Sequence, residues 1–252
     1  MTYKEKMAII HKWLILRRRI IAGGEHVDIV DNGIYERMMP TGVAKGPAEI
    51  FNIRLEHLSD DDLHNTIEEI RSFGVYAEFG AYDDRVTMAL YGKIPAPKDD
   101  VEKGVMTWDD LPCYPDTLEN IVIKQITDCD DSFIDWCKFL DDCEHNWIFY
   151  PAYHFHLIEK GKLFSFLAYV DNKPVARAAI IVGEETAALD FIFTLPEYRW
   201  KGIDTALCQH ALKYAFEEIG VNHVASYGFK WDDYAYALFT ELGFPIIKVN
   251  DI

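Results

Sequence analysis

The sequence predicts a mixed α/β (α+β) fold, and three observations predict it. Residues 163–194 hold three apolar and aromatic runs separated by turn chemistry, the pattern of an antiparallel meander. From Ile203 onward the pattern becomes helix, strand, helix, strand, so a helical crossover must join the strands, which favours parallel pairing. Half of the 252 residues are hydrophobic and 14% are aromatic, enough to fill the core of one large domain or two small ones.

The elements follow in chain order. Leu63, Ile67 and Ile70 recur at helical spacing, and Ser59 with Asp62 supplies a capping-box-like start, because a short hydroxyl satisfies free amides of a first turn. Gly74 ends that helix, and Val75–Phe79 and Val86–Tyr91 read as short strands. The breaks in this zone are Gly23-Gly24, Pro40 to Pro47 and Pro95 to Pro97. The polar, proline-punctuated stretch from Trp108 through Pro112 and Pro115 reads as a linker, giving expected domains 1–115 and 116–252.

Beyond the linker come a strand (Ile121–Ile126) and a helix around Phe133, Trp136, Cys137 and Leu140. Leu163–Val170 and Val175–Val182 form a hairpin about Asp171-Asn172-Lys173, and Ala187–Thr194 extends it. Pro196 to Lys201 is a charged loop. Ile203, Leu207, Ala211, Tyr214 and Ile219 then stripe a helix that Gly220 terminates. Val221–Tyr227 is a strand, Asp232 caps a second helix, Gly243 stops it, and Phe244–Val249 is a last strand.

A net charge of −17 repels phosphate backbones and anionic lipid while concentrating cations, so neither nucleic acid nor membrane is an expected partner. The cysteines (Cys113, Cys129, Cys137, Cys143 and Cys208) lack paired spacing and form no disulfide framework. The early apolar run is broken by His11 and Lys12 and ends in Arg17, Arg18 and Arg19, unlike a cleavable leader; a cytoplasmic location is the plain expectation. Cys143 with His145, and His154 with His156 on one supposed strand face, give no zinc-like set, so no metal is expected. Trp147 to Tyr153 is aromatic enough to line a pocket for a cation or simply to pack.

The chemistry concentrates in Leu195-Pro-Glu-Tyr-Arg-Trp-Lys-Gly-Ile-Asp-Thr-Ala-Leu207. A short loop feeding a helix N-terminus offers outward amides and a favourable dipole to an anion. Gly202 permits close approach, and Arg199 and Lys201 add positive charge to an acidic protein.

Pro196-Glu-Tyr-Arg-x-x-Gly-Ile203 resembles the pyrophosphate loop of the GNAT superfamily of N-acetyltransferases, Arg/Gln-x-x-Gly-x-Gly/Ala. Phe166 to Ala176 is similar to that family's hairpin, and Leu238 to Phe244 to its closing Leu-Tyr-x-x-x-Gly-Phe signature. The resemblance implies a GNAT fold over residues 116–252, in which strands ending near Thr194 and beginning near Val221 splay apart to admit the pantetheine arm of acetyl-CoA. It implies that Ile192, Phe193 and Thr194 pair with that arm, that amides of Trp200, Lys201, Gly202, Ile203, Asp204 and Thr205 cradle the pyrophosphate beside Arg199, and that Phe239 stands on the cofactor side. The activity implied is acetyl transfer to a primary amine, with a cationic acceptor, small molecule or protein, suited to the acidic chain; a homodimer is compatible with it.

Two positions depart from the family. Asp204 replaces a small residue and would repel the ligand unless it turns aside or pairs with Arg199 or Lys201. Phe239 replaces the tyrosine that often gives a proton to the leaving thiolate; Tyr236, three residues earlier on the same helix and near but not equivalent, is the candidate acid or else an ordinary helix-face tyrosine. Asp190, on a strand face with Ala188 and Ile192, is the candidate base or else a solvated strand residue. These departures motivate a second reading, a silent acyl-CoA-binding module, and a third, an interaction protein with only the fold. Leu63 to Tyr91 loosely resembles the end of a divergent copy of the same domain without the loop; a distinct α/β cap fits nearly as well.

Overall fold

A computed structural model describes residues 27–34, 36–40, 49–51, 58–72, 101–112, 120–127, 130–142, 151–183, 187–229 and 232–245, and part of the first 16 residues. The expected strands at 75–79 and 86–91, Gly74, most of the closing strand, Arg17 to Arg19, Cys143, His145 and Trp147 lie outside the described residues. The chain divides into two compact units, Ile15–Asp99 and, separately, Met1–Leu14 with Asp100–Ile252.

Within Ile15–Asp99, strands β1 (Val27–Asp31), β2 (Glu36–Pro40) and β3 (Glu49–Phe51) form an antiparallel sheet in sequence order. Helix α1 (Asp60–Ser72) begins as expected. The Ser59 hydroxyl accepts from the Asp62 amide at 3.2 Å and donates to the Asp62 carboxylate at 2.6 Å.

The other unit is built on six strands: β4 (Val101–Met106), β5 (Ile121–Ile126), β6 (Leu163–Val170), β7 (Lys173–Val182), β8 (Ala187–Thr194) and β9 (Val224–Phe229). Their order across the sheet is β4-β9-β8-β7-β6-β5, and every pairing is antiparallel except β8 with β9. β4 precedes the stretch expected to be a linker, yet it pairs with β9 along its whole length, from Val101–Phe229 to Met106–Val224. The β6–β7 turn uses Asp171 and Asn172 with φ of 50° and 62°, the left-handed pair that a two-residue hairpin needs.

Helices cover both faces. On one lie α4 (Ile203–Tyr214), prolonged by a π turn (Ala215–Ile219), and α5 (Asp233–Glu241). Their Leu207, Cys208, Ala211, Leu212, Leu238 and Phe239, with Leu242 just beyond, pack with Phe166, Ala176, Ala178, Ile180, Ala187 and Leu189 in the main core. Each fully buried leucine there contributes about 2 kcal/mol by removal from water. Gly220 closes the π turn at φ 76°, and Asp232 caps α5 by accepting from the Tyr234 and Ala235 amides, each at 3.1 Å. On the other face, α2 (Asp131–Asp142) brings Trp136 and Phe139 onto Ile126, Leu167 and Tyr169. Trp13 is fully buried, stacked on Tyr227 at 5.1 Å and packed with Val105, Ala188 and Ala225.

One element departs from expectation. Residues 151–159 form helix α3 (Pro151–Glu159), not a strand, so His154 and His156 do not share a face. His154 is buried and His156 exposed. Proline at the first helical position suits a helix start, and the alternation of aromatic and histidine residues only imitates a strand period.

Candidate active site

Two irregularities on β8 create the site. Phe193 and Asp190 pair with Arg177 and Ala179, so Phe191 and Ile192 together stand opposite the single Ala178. That extra residue is a β-bulge, and Phe191 takes a left-handed φ of 52° to make it. The bulge changes which side chains share a face. Ile192 packs toward the α4–α5 core, whereas Phe193 packs with Phe139 at 5.9 Å on the α2 face. The expected common face of Asp190 with Ile192 is therefore broken, because an inserted residue inverts the alternation; Ala188 remains in the cluster around Trp13.

The second irregularity is a splay. β8 and β9 pair only at Ala187–Val224 and Ala188–Ala225, after which they separate. The buried Ser226 hydroxyl reaches across the opening to the Leu189 carbonyl at 3.2 Å. Beyond it, β8 runs on to Thr194 past the end of its ladder with β9. Thr194 is buried; its hydroxyl lies near the Tyr234 phenol but has no partner in hydrogen-bond geometry.

At the end of the splay the loop turns into α4. Gly202 is the N-cap with φ 73° and no side-chain cap, a conformation that glycine adopts without cost. The first bond of the helix runs from the Ala206 amide to the Gly202 carbonyl, so the Ile203 and Asp204 amides have no acceptor in the helix. Arg199 is half-buried; its Nε donates to the Thr194 carbonyl at 3.1 Å, and its guanidinium lies 4.8 Å from the Tyr234 ring centre. Lys201 is exposed, its ammonium 5.1 Å from the Tyr198 ring. Trp200 has a left-handed φ of 62° and is 67% exposed, the most open among the large described apolar side chains.

Asp204 turns inward. It is only 4% exposed; Oδ1 accepts from the Thr205 amide at 2.9 Å, and Oδ2 accepts from the Tyr234 hydroxyl. Its partner is neither Arg199 nor Lys201 but a tyrosine in the first turn of α5. Burial, and then the Asp204 hydrogen bond, push the Tyr234 phenol well above its usual range. Burial and the Asp204 charge do the same to the Cys208 thiol, which makes that thiol inert.

The bulge carries the other titratable groups. Asp190 is 5% exposed, and its Oδ1 accepts from the Phe191 amide at 2.7 Å, so it is not a solvated strand residue. Around Phe191 lie the His154 ring at 5.6 Å and the Arg177 guanidinium at 5.9 Å. Burial and the Arg177 charge lower His154 to a pKa of about 3, so it is a neutral imidazole at pH 7. Neither His154 nor Arg177 carries a sequence motif.

The closing signature is a packing device. Phe239 is buried and stacked on Phe244 at 5.4 Å. It lies so close to β9 that a Cβ on Gly228 would meet its ring and Cβ at 2.8–2.9 Å. Tyr236 is half-buried and two residues past Tyr234, which points it about 200° away around the helix. Arg199 and Trp200 of the loop both contact Tyr234.

An acetyltransferase (GNAT) family model matches residues 129–244, from α2 through the closing signature. The C-terminal half is a GNAT acetyltransferase domain. The likeness of fold also extends beyond it. A GCN5-related N-acetyltransferase from Kribbella flavida is 15% identical over 92% of this chain and 91% of its own, with a TM-score of 0.60. A tandem GNAT protein from the clavulanic acid biosynthesis pathway is 13% identical over 98% and 94%, TM-score 0.59. A conserved Staphylococcus epidermidis protein of unknown function is 13% identical over 87% and 90%, TM-score 0.52. Such low identities establish the fold alone, and the tandem GNAT protein shares that fold over nearly the whole of this chain. No curated protein matches the sequence. Among the described residues, no helix is long and apolar enough to cross a membrane, and no group of three or more His, Cys, Asp or Glu is placed to hold a metal.

Proposed function

We propose that the GNAT domain moves an acetyl group from acetyl-CoA to a primary amine by direct attack. The observation that carries this reading is the parting of β8 and β9 after Ala188–Ala225, which opens toward a glycine-led helix N-terminus. The residues present suit the donor: the β8 edge that parts from β9 and the Thr194 hydroxyl for an amide-bearing arm, and the Ile203 and Asp204 amides, with Arg199 close by, for a pyrophosphate. Acetyl-CoA supplies a thioester already activated toward amines.

The chain's own task is then positioning and proton handling. Asp190 sits on the edge where the strands part, and its carboxylate is the group to take the acceptor ammonium proton, directly or through water. The amine nitrogen bonds to the acyl carbon, the carbon–sulfur bond breaks, and the thiolate takes up a proton. Phe239 cannot supply that proton, so Tyr236 or solvent does. A net charge of −17 favours a cationic acceptor.

Calorimetric titration with acetyl-CoA, with ADP as the control for simple phosphate attraction, tests the donor. One-site binding well above that of ADP supports it, and thiol release against a panel of amines then identifies the acceptor class. No binding at millimolar acetyl-CoA would overturn the reading. Binding without thiol release from any amine would leave a silent acyl-CoA-binding module.

A further inference from the structure

Tyr234 lies outside the three GNAT-like motifs, Phe166–Ala176, Pro196–Ile203 and Leu238–Phe244, yet the loop converges on it. Its hydroxyl donates to Asp204, its ring lies under the Arg199 guanidinium at 4.8 Å, and the Trp200 indole meets it edge-on at 5.1 Å. Asp204 is the second residue of α4. Pointed outward, its carboxylate would stand among the same amides that an anion needs, neutralising the helix dipole and repelling the ligand. Pointed inward, it uses only the Thr205 amide and the phenol, and the Ile203 and Asp204 amides stay available.

We propose that Tyr234 is a positioning residue for the acetyl-CoA pyrophosphate, acting by holding the Asp204 carboxylate inward while its ring fixes Arg199 at the loop. The proposal rests on the acetyl-CoA reading and deepens it. It explains how a domain with a carboxylate in place of the usual small residue keeps an anion site: the phenol withdraws the charge. A purely structural role for the pair makes a different prediction, because it would not depend on charge at the pyrophosphate.

The test is a double-mutant cycle of Tyr234→Phe and Asp204→Asn, read by calorimetry with acetyl-CoA and by kinetics with acetyl-CoA and with S-acetylpantetheine, which lacks the pyrophosphate. Tyr234→Phe frees the carboxylate and weakens acetyl-CoA about tenfold. KM for acetyl-CoA rises with kcat little changed, and kcat/KM for S-acetylpantetheine stays as in the wild type. Asp204→Asn binds acetyl-CoA at least as tightly as the wild type, and adding Tyr234→Phe to it changes affinity by no more than about twofold, because there is no charge left to hold. The double variant keeps the test sharp even where Tyr234→Phe alone leaves a buried carboxylate too poorly paired to fold. Three results would each overturn the proposal while the acetyl-CoA reading stands. They are unchanged acetyl-CoA affinity in Tyr234→Phe, equal losses for both donors, and a tenfold loss that persists when Asp204→Asn is also present. Wild-type protein that binds no acetyl-CoA would overturn both.

Discussion

Along its β7 edge, β8 is held in register from Val182–Ala187 to Ala176–Thr194, interrupted only by the bulge, whereas along its β9 edge pairing stops after Ala188–Ala225. One strand therefore stays in register on one side and parts from its neighbour on the other. The difference shows how a sheet creates a binding edge from its own strands. Pairing with β7 fixes the strand, and the edge that leaves β9 leads into a helix N-terminus. The bulge at Phe191 lies between the two regimes and sets which side chains reach which face.

The largest expected effect comes from closing the open end. Gly202→Val puts a β-branched residue at φ 73°, in the turn from which the α4 amides project. Acetyl-CoA binding then falls below detection while the melting temperature drops by only a few degrees. Wild-type affinity by calorimetry would show that the loop does not hold the pyrophosphate. Next is the chemistry at the bulge. Asp190→Asn lowers kcat by about a hundredfold if the carboxylate is the base, with acetyl-CoA affinity little changed. Full activity would remove Asp190 from the mechanism and turn attention to the neutral His154 imidazole.

A smaller effect tests the packing beyond the splay. Gly228→Ala drives a Cβ to within 2.8–2.9 Å of Phe239, whose ring also stacks on Phe244. Overpacking of this kind costs about 1–3 kcal/mol, measurable by denaturant unfolding. Unchanged stability would mean that Phe239 has room to move and that the α5–β9 contact is looser than its geometry indicates.

How much of this is legible in the sequence follows from the range of each interaction. Local signals suffice for Gly220, Asp232, Gly243, the Asp171-Asn172 turn and the α4 stripe, because a cap or a turn is decided within a few residues. The splay follows from the family resemblance and not from periodicity. The pairing of β4 with β9 joins residues more than a hundred apart in sequence, and no local pattern in Val101–Met106 announces it. The inward turn of Asp204 depends on a tyrosine 30 positions away. The bulge hides in an unbroken run, Asp190-Phe-Ile-Phe-Thr194, so strict alternation puts Ile192 on the wrong face. Aromatic spacing in Pro151–Glu159 suggests a strand, and only the helix reveals that His154 lies against Phe191.

That buried histidine gives the finest probe of the paired side of β8. In the folded protein His154 titrates near 3, because burial and the Arg177 charge disfavour its protonated form; in the unfolded chain it titrates at its ordinary value of 6.5. The unfolded chain therefore binds a proton that the native state refuses. The stabilisation is fully present above pH 6.5 and is lost as pH falls from there toward 3, by about 1.4 kcal/mol for each pH unit well inside that window. Other groups in this acidic protein add slopes of their own, so the decisive quantity is a difference. Unfolding free energy measured by denaturant at pH 7, 6, 5 and 4 should fall more steeply for the wild type than for His154→Leu. Leucine also alters packing against Trp136 and Phe191, which offsets the whole curve without changing its slope. Parallel curves would mean that His154 takes up a proton in the folded state, and that the ground beneath the bulge is wetter and more polar than its burial implies.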